Sequence, residues 1–101
     1  MDRALDRHYE GHTIRTYLDD NHLWFVASDL ARALGFPSGF AMARTVPVED
    51  KEFLDVETRG GRHESTVISG IGLIVFASRT RKPFGRKLLK WVLHEAPSGL
   101  N

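Results

Sequence analysis

The sequence predicts one small α+β domain with the order β-β-α-α-β-β-α-α, built from two β-hairpins and short helices. Three observations carry that prediction. Two pairs of β-prone runs are joined by short turn signals, Asp19-Asp20-Asn21-His22 and Arg59-Gly60-Gly61-Arg62. Stretches with helical spacing follow each pair. The 101 residues, 42% hydrophobic and 27% charged, can bury one core but cannot support two separate domains.

Each element has its own justification. Residues 1–10 are polar and unpatterned, which predicts a flexible lead-in before a domain spanning residues 11–98. From His12 to Leu18 the chain alternates, with Ile14, Thr16 and Leu18 on one side and Thr13, Arg15 and Tyr17 on the other. Leu23 to Val26 is aromatic and β-prone, and the residues between tolerate positive φ, so the two runs form the first hairpin. Ser28 is expected to cap a short helix with Asp29 at its positive end. Leu30, Ala31 and Leu34 give helical spacing, and Gly35 ends it. After the turn Phe36-Pro37-Ser38, Gly39 to Val46 reads as a second short helix stopped by Pro47.

Lys51 to Thr58 and His63 to Ile68 flank the Gly-Gly turn and form the second hairpin. Gly70 to Ser78 is nearly all apolar; periodicity leaves a buried helix and a buried strand both open, and the order above takes it as a helix. Pro83 is expected to open the last helix. Phe84, Leu88, Trp91 and Val92 share its apolar face, with Arg86, Lys87 and Lys90 on the opposite flank. Pro97 to Asn101 reads as a frayed end.

Composition narrows the function classes. With no cysteine there are no disulfides, thiolate zinc sites or cysteine nucleophiles. No apolar run is long enough to span a bilayer, and the first residues lack a hydrophobic signal core, so the expected location is cytoplasmic. Catalysis finds little support. His8 and His12 have metal-pair spacing beside Glu10 but no third strong ligand. His63, Glu64 and Ser65 are adjacent in a strand, which points their side chains apart. Gly70-Ile71-Gly72 lacks the remaining glycine and the lysine of a phosphate loop. The expectation is therefore no catalytic residue, no metal and no cofactor.

The net charge of +1 hides an asymmetry. Met1 to Glu64 holds 8 Lys/Arg against 12 Asp/Glu, whereas Ser65 to Asn101 holds 6 against 1. All six of those cations fall in one short segment: Arg79, Arg81, Lys82, Arg86, Lys87 and Lys90. Such clustering points to an anionic partner at one face, the competing reading being a solvated helix face. Double-stranded DNA fits the first reading, because closely spaced cations neutralise its phosphates. Secondary contact candidates are Arg59 and Arg62 at the hairpin tip, as in β-ribbon readers, and Arg32 and Arg44 in the two short helices. Ser28 to Val46 partly matches a helix-turn-helix, although a simple pair of packing helices explains it better. Trp24, Phe25, Phe76 and Trp91 are read as core rather than as stacking platforms for bases.

Five segments together resemble the BRO-N domain, the N-terminal module of baculovirus repeated-ORF proteins and many phage antirepressors. Trp24 to Phe36 is similar to "WFVAxDVAxALGY". Glu49-Asp50-Lys51 precedes a strand, and Thr66-Val67-Ile68-Ser69 leads to Gly72-Leu73 as in "TVINESGLY". Ser78 to Pro83 resembles "RSRKP", and Trp91-Val92-Leu93-His94-Glu95 with Pro97-Ser98 resembles "WVTxEVLPSI". The segments are in register from residue 14 to residue 98, and the version expected is a stand-alone one.

The resemblance implies an α+β DNA-binding domain of a phage or prophage, acting in transcription control or as an antirepressor in the cytoplasm of a bacterial host. The alternative is a protein-binding inhibitor that sequesters a repressor or a host regulatory or defence protein, its acidic N-terminal half docking a basic surface. A homodimer is compatible with either, since small DNA readers often pair to span half-sites.

Overall fold

The computed structural model describes residues 3–58 and 60–95. Five antiparallel strands form one sheet in the order β1-β2-β3-β5-β4. They are β1 (Arg3–Tyr9), β2 (His12–Asp19), β3 (His22–Val26), β4 (Lys51–Thr58) and β5 (Gly61–Ser69). Helices α1 (Ala27–Leu34) and α2 (Gly39–Ala43), then a single 3-10 turn at Val48–Asp50, link β3 to β4. Helices α3 (Gly70–Arg79) and α4 (Gly85–Glu95) follow β5. The expected α+β order is present, with one strand added in front.

That strand corrects the expected lead-in. Residues 3–9 pair with β2 along their whole length, from Arg3 opposite Leu18 to Tyr9 opposite His12. Glu10 and Gly11 sit between them with φ of 51° and 82°, the left-handed geometry of a two-residue hairpin turn. Tertiary contacts hold this polar strand. Arg7 Nη1 donates to Glu95 Oε1 at 2.9 Å, Thr16 Oγ1 donates to the Leu5 carbonyl at 2.8 Å, and Tyr9 meets Trp91 edge-on with centroids 5.4 Å apart. The expected end of the domain at residue 98 lies outside the described residues.

The two expected hairpins are present. Asp20 and Asn21 adopt φ of 53° and 64° between paired Asp19 and His22, and Thr58 pairs with Gly61. Alternation along the strands sends side chains to two faces. Ile14, Leu23, Phe25 and Ile68 face the helices and pack with Leu30, Met42, Leu73, Leu88 and Val92 in the main core. Tyr17, Val26, Val56 and Val67 form a smaller core on the other face, with Trp24 and Leu54 packed against it.

Two local expectations change, and one that periodicity left open is settled as the expected helix. Ser28 does not cap α1: the helix starts at Ala27 behind an extended Val26, with no side-chain cap. Asp29 instead reaches back to β2 and accepts hydrogen bonds from the Arg15 backbone N–H at 2.9 Å, Arg15 Nε at 2.8 Å and Arg15 Nη2 at 2.9 Å. This bond to Asp29 holds the Arg15 guanidinium above its already high ordinary pKa. Second, Gly70–Arg79 is a helix, because the Ser69 Oγ accepts from the Gly72 N–H at 3.0 Å and caps its start. Third, α4 begins at Gly85 rather than Pro83, since the Gly85 N–H is taken by the Lys82 carbonyl in a preceding turn. As expected, Gly35 ends α1 in the left-handed region with φ of 85°.

Candidate nucleic-acid interface

The six clustered cations lie on the last residue of α3, the connecting turn and α4; Lys82 lines one hollow with Arg86 and Lys90 and another with Arg79, whereas Lys87 lines a third with Glu10. Arg79, Arg81, Lys82, Arg86, Lys87 and Lys90 are all exposed. Their placement follows from how α3 stops and α4 starts. The Thr80 N–H caps α3 on the Phe76 carbonyl at 3.0 Å, and the chain then turns extended. The Thr80 hydroxyl accepts from the Lys82 N–H at 3.3 Å, which folds the turn back. Gly85 makes the return possible: a Cβ there would lie 2.8 Å from Thr80 Cγ2 and 3.1 Å from the Ala77 carbonyl.

Three aromatic rings anchor this turn from beneath. Phe76 and Phe84 stack at 6.3 Å between centroids, and Phe36 lies 6.1 Å from each. Phe36 follows α1, so the ring cluster ties the cationic turn to the first helical pair. Open hollows flank the turn. One, of about 580 Å³, runs between α3 and α4 and is lined by Lys82, Arg86 and Lys90 along with Leu89 and Leu93. The other, of about 320 Å³, has Phe36, Met42 and Phe76 at its base and Arg79 and Lys82 among its walls. Arg86 and Lys90 are one helical turn apart, about 6 Å along the axis, so they project in nearly the same direction.

Electrostatically the patch is scarcely neutralised. Lys87 Nζ pairs with Glu10 Oε1 at 3.2 Å. Among the described residues, the other five cations have no carboxylate within 4.0 Å. The acid nearest in sequence, Glu95, is instead taken by Arg7.

Arg32, Arg44 and Arg62 do not line the hollows that Lys82 shares with Arg79, Arg86 and Lys90. Arg32 is exposed beside Asp29, with Nη1 3.5 Å from Oδ1. Arg44 caps the end of α2 and lines a different hollow, with Phe40, Lys51 and Phe53. Arg62 is exposed on β5 opposite Glu57, and Arg59 lies outside the described residues. The helix pair Ser28 to Val46 has a five-residue second helix, little more than one turn. Of the four large aromatics, Phe25 and Phe76 are buried. Trp91 is fixed by its Nε1 donating to the His8 carbonyl at 2.7 Å, and Trp24 stacks on His22 at 6.4 Å. His8 and His12 straddle the β1–β2 turn, so their spacing is not that of a helix face.

The family model of the BRO family, N-terminal domain, matches residues 13–97. The chain belongs to the BRO family. No curated protein and no solved structure matches it. Within this BRO domain the matched span opens in β2, so β1 lies before it. The cationic turn and α4 lie inside the matched span, whereas Glu10, which pairs with Lys87, lies before it. Sequence reasoning missed the Phe36–Phe76–Phe84 cluster and the Glu10–Lys87 pair. No local signal marks either, because both join residues far apart in the chain.

Proposed function

We propose that this BRO domain is a DNA-binding transcriptional regulator of phage or prophage origin, of the antirepressor type, working in the bacterial cytoplasm. It engages duplex phosphates through the Arg79–Lys90 face. The family is one of DNA-binding regulatory domains. The observation that carries the assignment to this face is the set of five exposed cations with no carboxylate partner among the described residues, three of which, Lys82, Arg86 and Lys90, line one open hollow. Exposed side chains carrying one sign of charge on a fixed turn and helix attract a phosphate row without first breaking internal ion pairs. The guanidinium forks of Arg79, Arg81 and Arg86 suit bidentate phosphate or guanine contacts.

The test is fluorescence anisotropy of a labelled random duplex across a salt series. If each of the five cations meets one phosphate, log K falls with log salt at a slope of about −4.5. Replacing Arg81, Arg86 and Lys90 by Ala lowers the slope magnitude by about 2.7 and weakens binding strongly at low salt. Folded protein that fails to bind duplex at low salt refutes the assignment.

A further inference from the structure

Among the described residues β4 is an edge strand with no neighbour on its outer side, and that edge is complementary to itself. Lys51, Phe53 and Asp55 alternate onto one face of the strand. Phe53 is 66% exposed, an unusual state for an aromatic ring on an open edge, and Phe40 beside it is 75% exposed. The two rings share a hollow of about 150 Å³ with Arg44 and Lys51. Asp55 is exposed and has no ion-pair partner among the described residues.

We infer that β4 pairs antiparallel with β4 of a second copy of this chain, on a two-fold axis at Phe53. Alternate residues of an edge strand aim their N–H and C=O outward, so antiparallel partners must share parity, and each symmetric register centres on one residue. Centring on Glu52 or Asp55 sets a carboxylate against its own copy at the axis. Centring on Leu54 sets Lys51 opposite the partner's Glu57 but Phe53 against the partner's Asp55 twice, with no ring pair. Centring on Phe53 alone stacks ring against ring, with Lys51 opposite the partner's Asp55 at both ends and Glu52 opposite the partner's Leu54. Lys51 Nζ donates to the Ala43 carbonyl at 3.0 Å, which leaves ammonium protons for the partner's carboxylate. The interface is isologous and joins two five-stranded sheets into one. The inference is independent of the reading of the cationic face.

Sedimentation equilibrium over a concentration range tests it. The intact chain dimerises as concentration rises. Lys51→Glu and Asp55→Lys each put like charges at both ends of the interface and weaken self-association roughly tenfold or more. Mixed together, the two variants recover dimer, because each contact in the mixed pair is again attractive. Circular dichroism checks their folding.

The chain has no cysteine, so single cysteines report the register. Phe53→Cys places two thiols directly opposite, about 4.5–5.5 Å between Cα atoms and within disulfide reach. Glu52→Cys places them diagonally, at about 7–8 Å and outside it. Rapid oxidative cross-linking of the first and not the second supports the register, and it reads out even if Lys51→Glu fails to fold. A chain that stays monomeric at every concentration overturns the inference, as does cross-linking of both cysteine variants at equal rates. Reversed charges without effect, or an edge that accepts only a different protein or peptide, overturn it too.

Discussion

Loss of the Asp29 carboxylate is predicted to be costly for its size. Its side chain is 4% exposed and accepts three bonds of 2.8–2.9 Å from Arg15, one from the backbone and two from the guanidinium. Asp29→Ala leaves the backbone N–H of Arg15 without its acceptor, at about 1–3 kcal/mol. It also removes the carboxylate that takes two bonds from a guanidinium whose side chain is 28% exposed. Removing one partner of a fully buried ion pair costs about 3–5 kcal/mol, but this guanidinium reaches water, so we expect about 2–4 kcal/mol in all. For a domain this small that lowers Tm by roughly 10–20 °C.

The assay is urea denaturation followed by circular dichroism, in a double-mutant cycle with Arg15→Met. The two losses should overlap, with a coupling of at least about 1 kcal/mol that persists at high salt because the carboxylate is buried. A loss under about 0.5 kcal/mol, or strictly additive effects, would refute the view that this pair ties α1 to β2.

Other perturbations have definite outcomes. Gly85→Ala should destabilise by about 1–3 kcal/mol despite its better helix propensity, because its Cβ meets the fixed Ala77 carbonyl; thermal melting checks it. Burial, with a smaller push from Glu10, raises the Tyr9 phenol above its ordinary 10.0. A phenol raised in the folded state lends its stability below the unfolded pKa and withdraws it as pH rises through the folded one. Stability should therefore fall above about pH 10, and Tyr9→Phe should flatten that fall in denaturant titrations at stepped alkaline pH. The Lys87–Glu10 pair, with side chains 64% and 53% exposed, should contribute under about 0.5 kcal/mol, so Glu10→Gln should leave the urea midpoint nearly unmoved.

Much of the fold was legible because local chemistry and global placement agree. Asp20 and Asn21 take the positive φ that their turn demands, and Gly35 ends α1 where the helical spacing runs out. The exposure of Arg86, Lys87 and Lys90 followed from their flank of an amphipathic helix. What was illegible depends on distant partners. β1 has no apolar alternation of its own, and its contacts to Trp91 and Glu95 come from the far end of the chain. Asp29 sits where a helix-dipole role is plausible, and only folding brings Arg15 to it. The helix at 70–79 did carry a readable signal in its Ser69 cap, which periodicity in an all-apolar run cannot supply. For the site, the sequence located the cations but not the ring cluster that fixes their turn.

The central claim is that the position of the cations, rather than the overall charge, makes the DNA surface. Two triple variants separate these. Arg81, Arg86 and Lys90 to Ala, and Arg32, Arg44 and Arg62 to Ala, each take the formal net charge from +1 to −2. Duplex affinity should be measured for both at one low salt concentration, after circular dichroism shows each to be folded. The account predicts near-complete loss for the first and at most a modest weakening for the second. Equal losses, or a greater loss in the second, would contradict it.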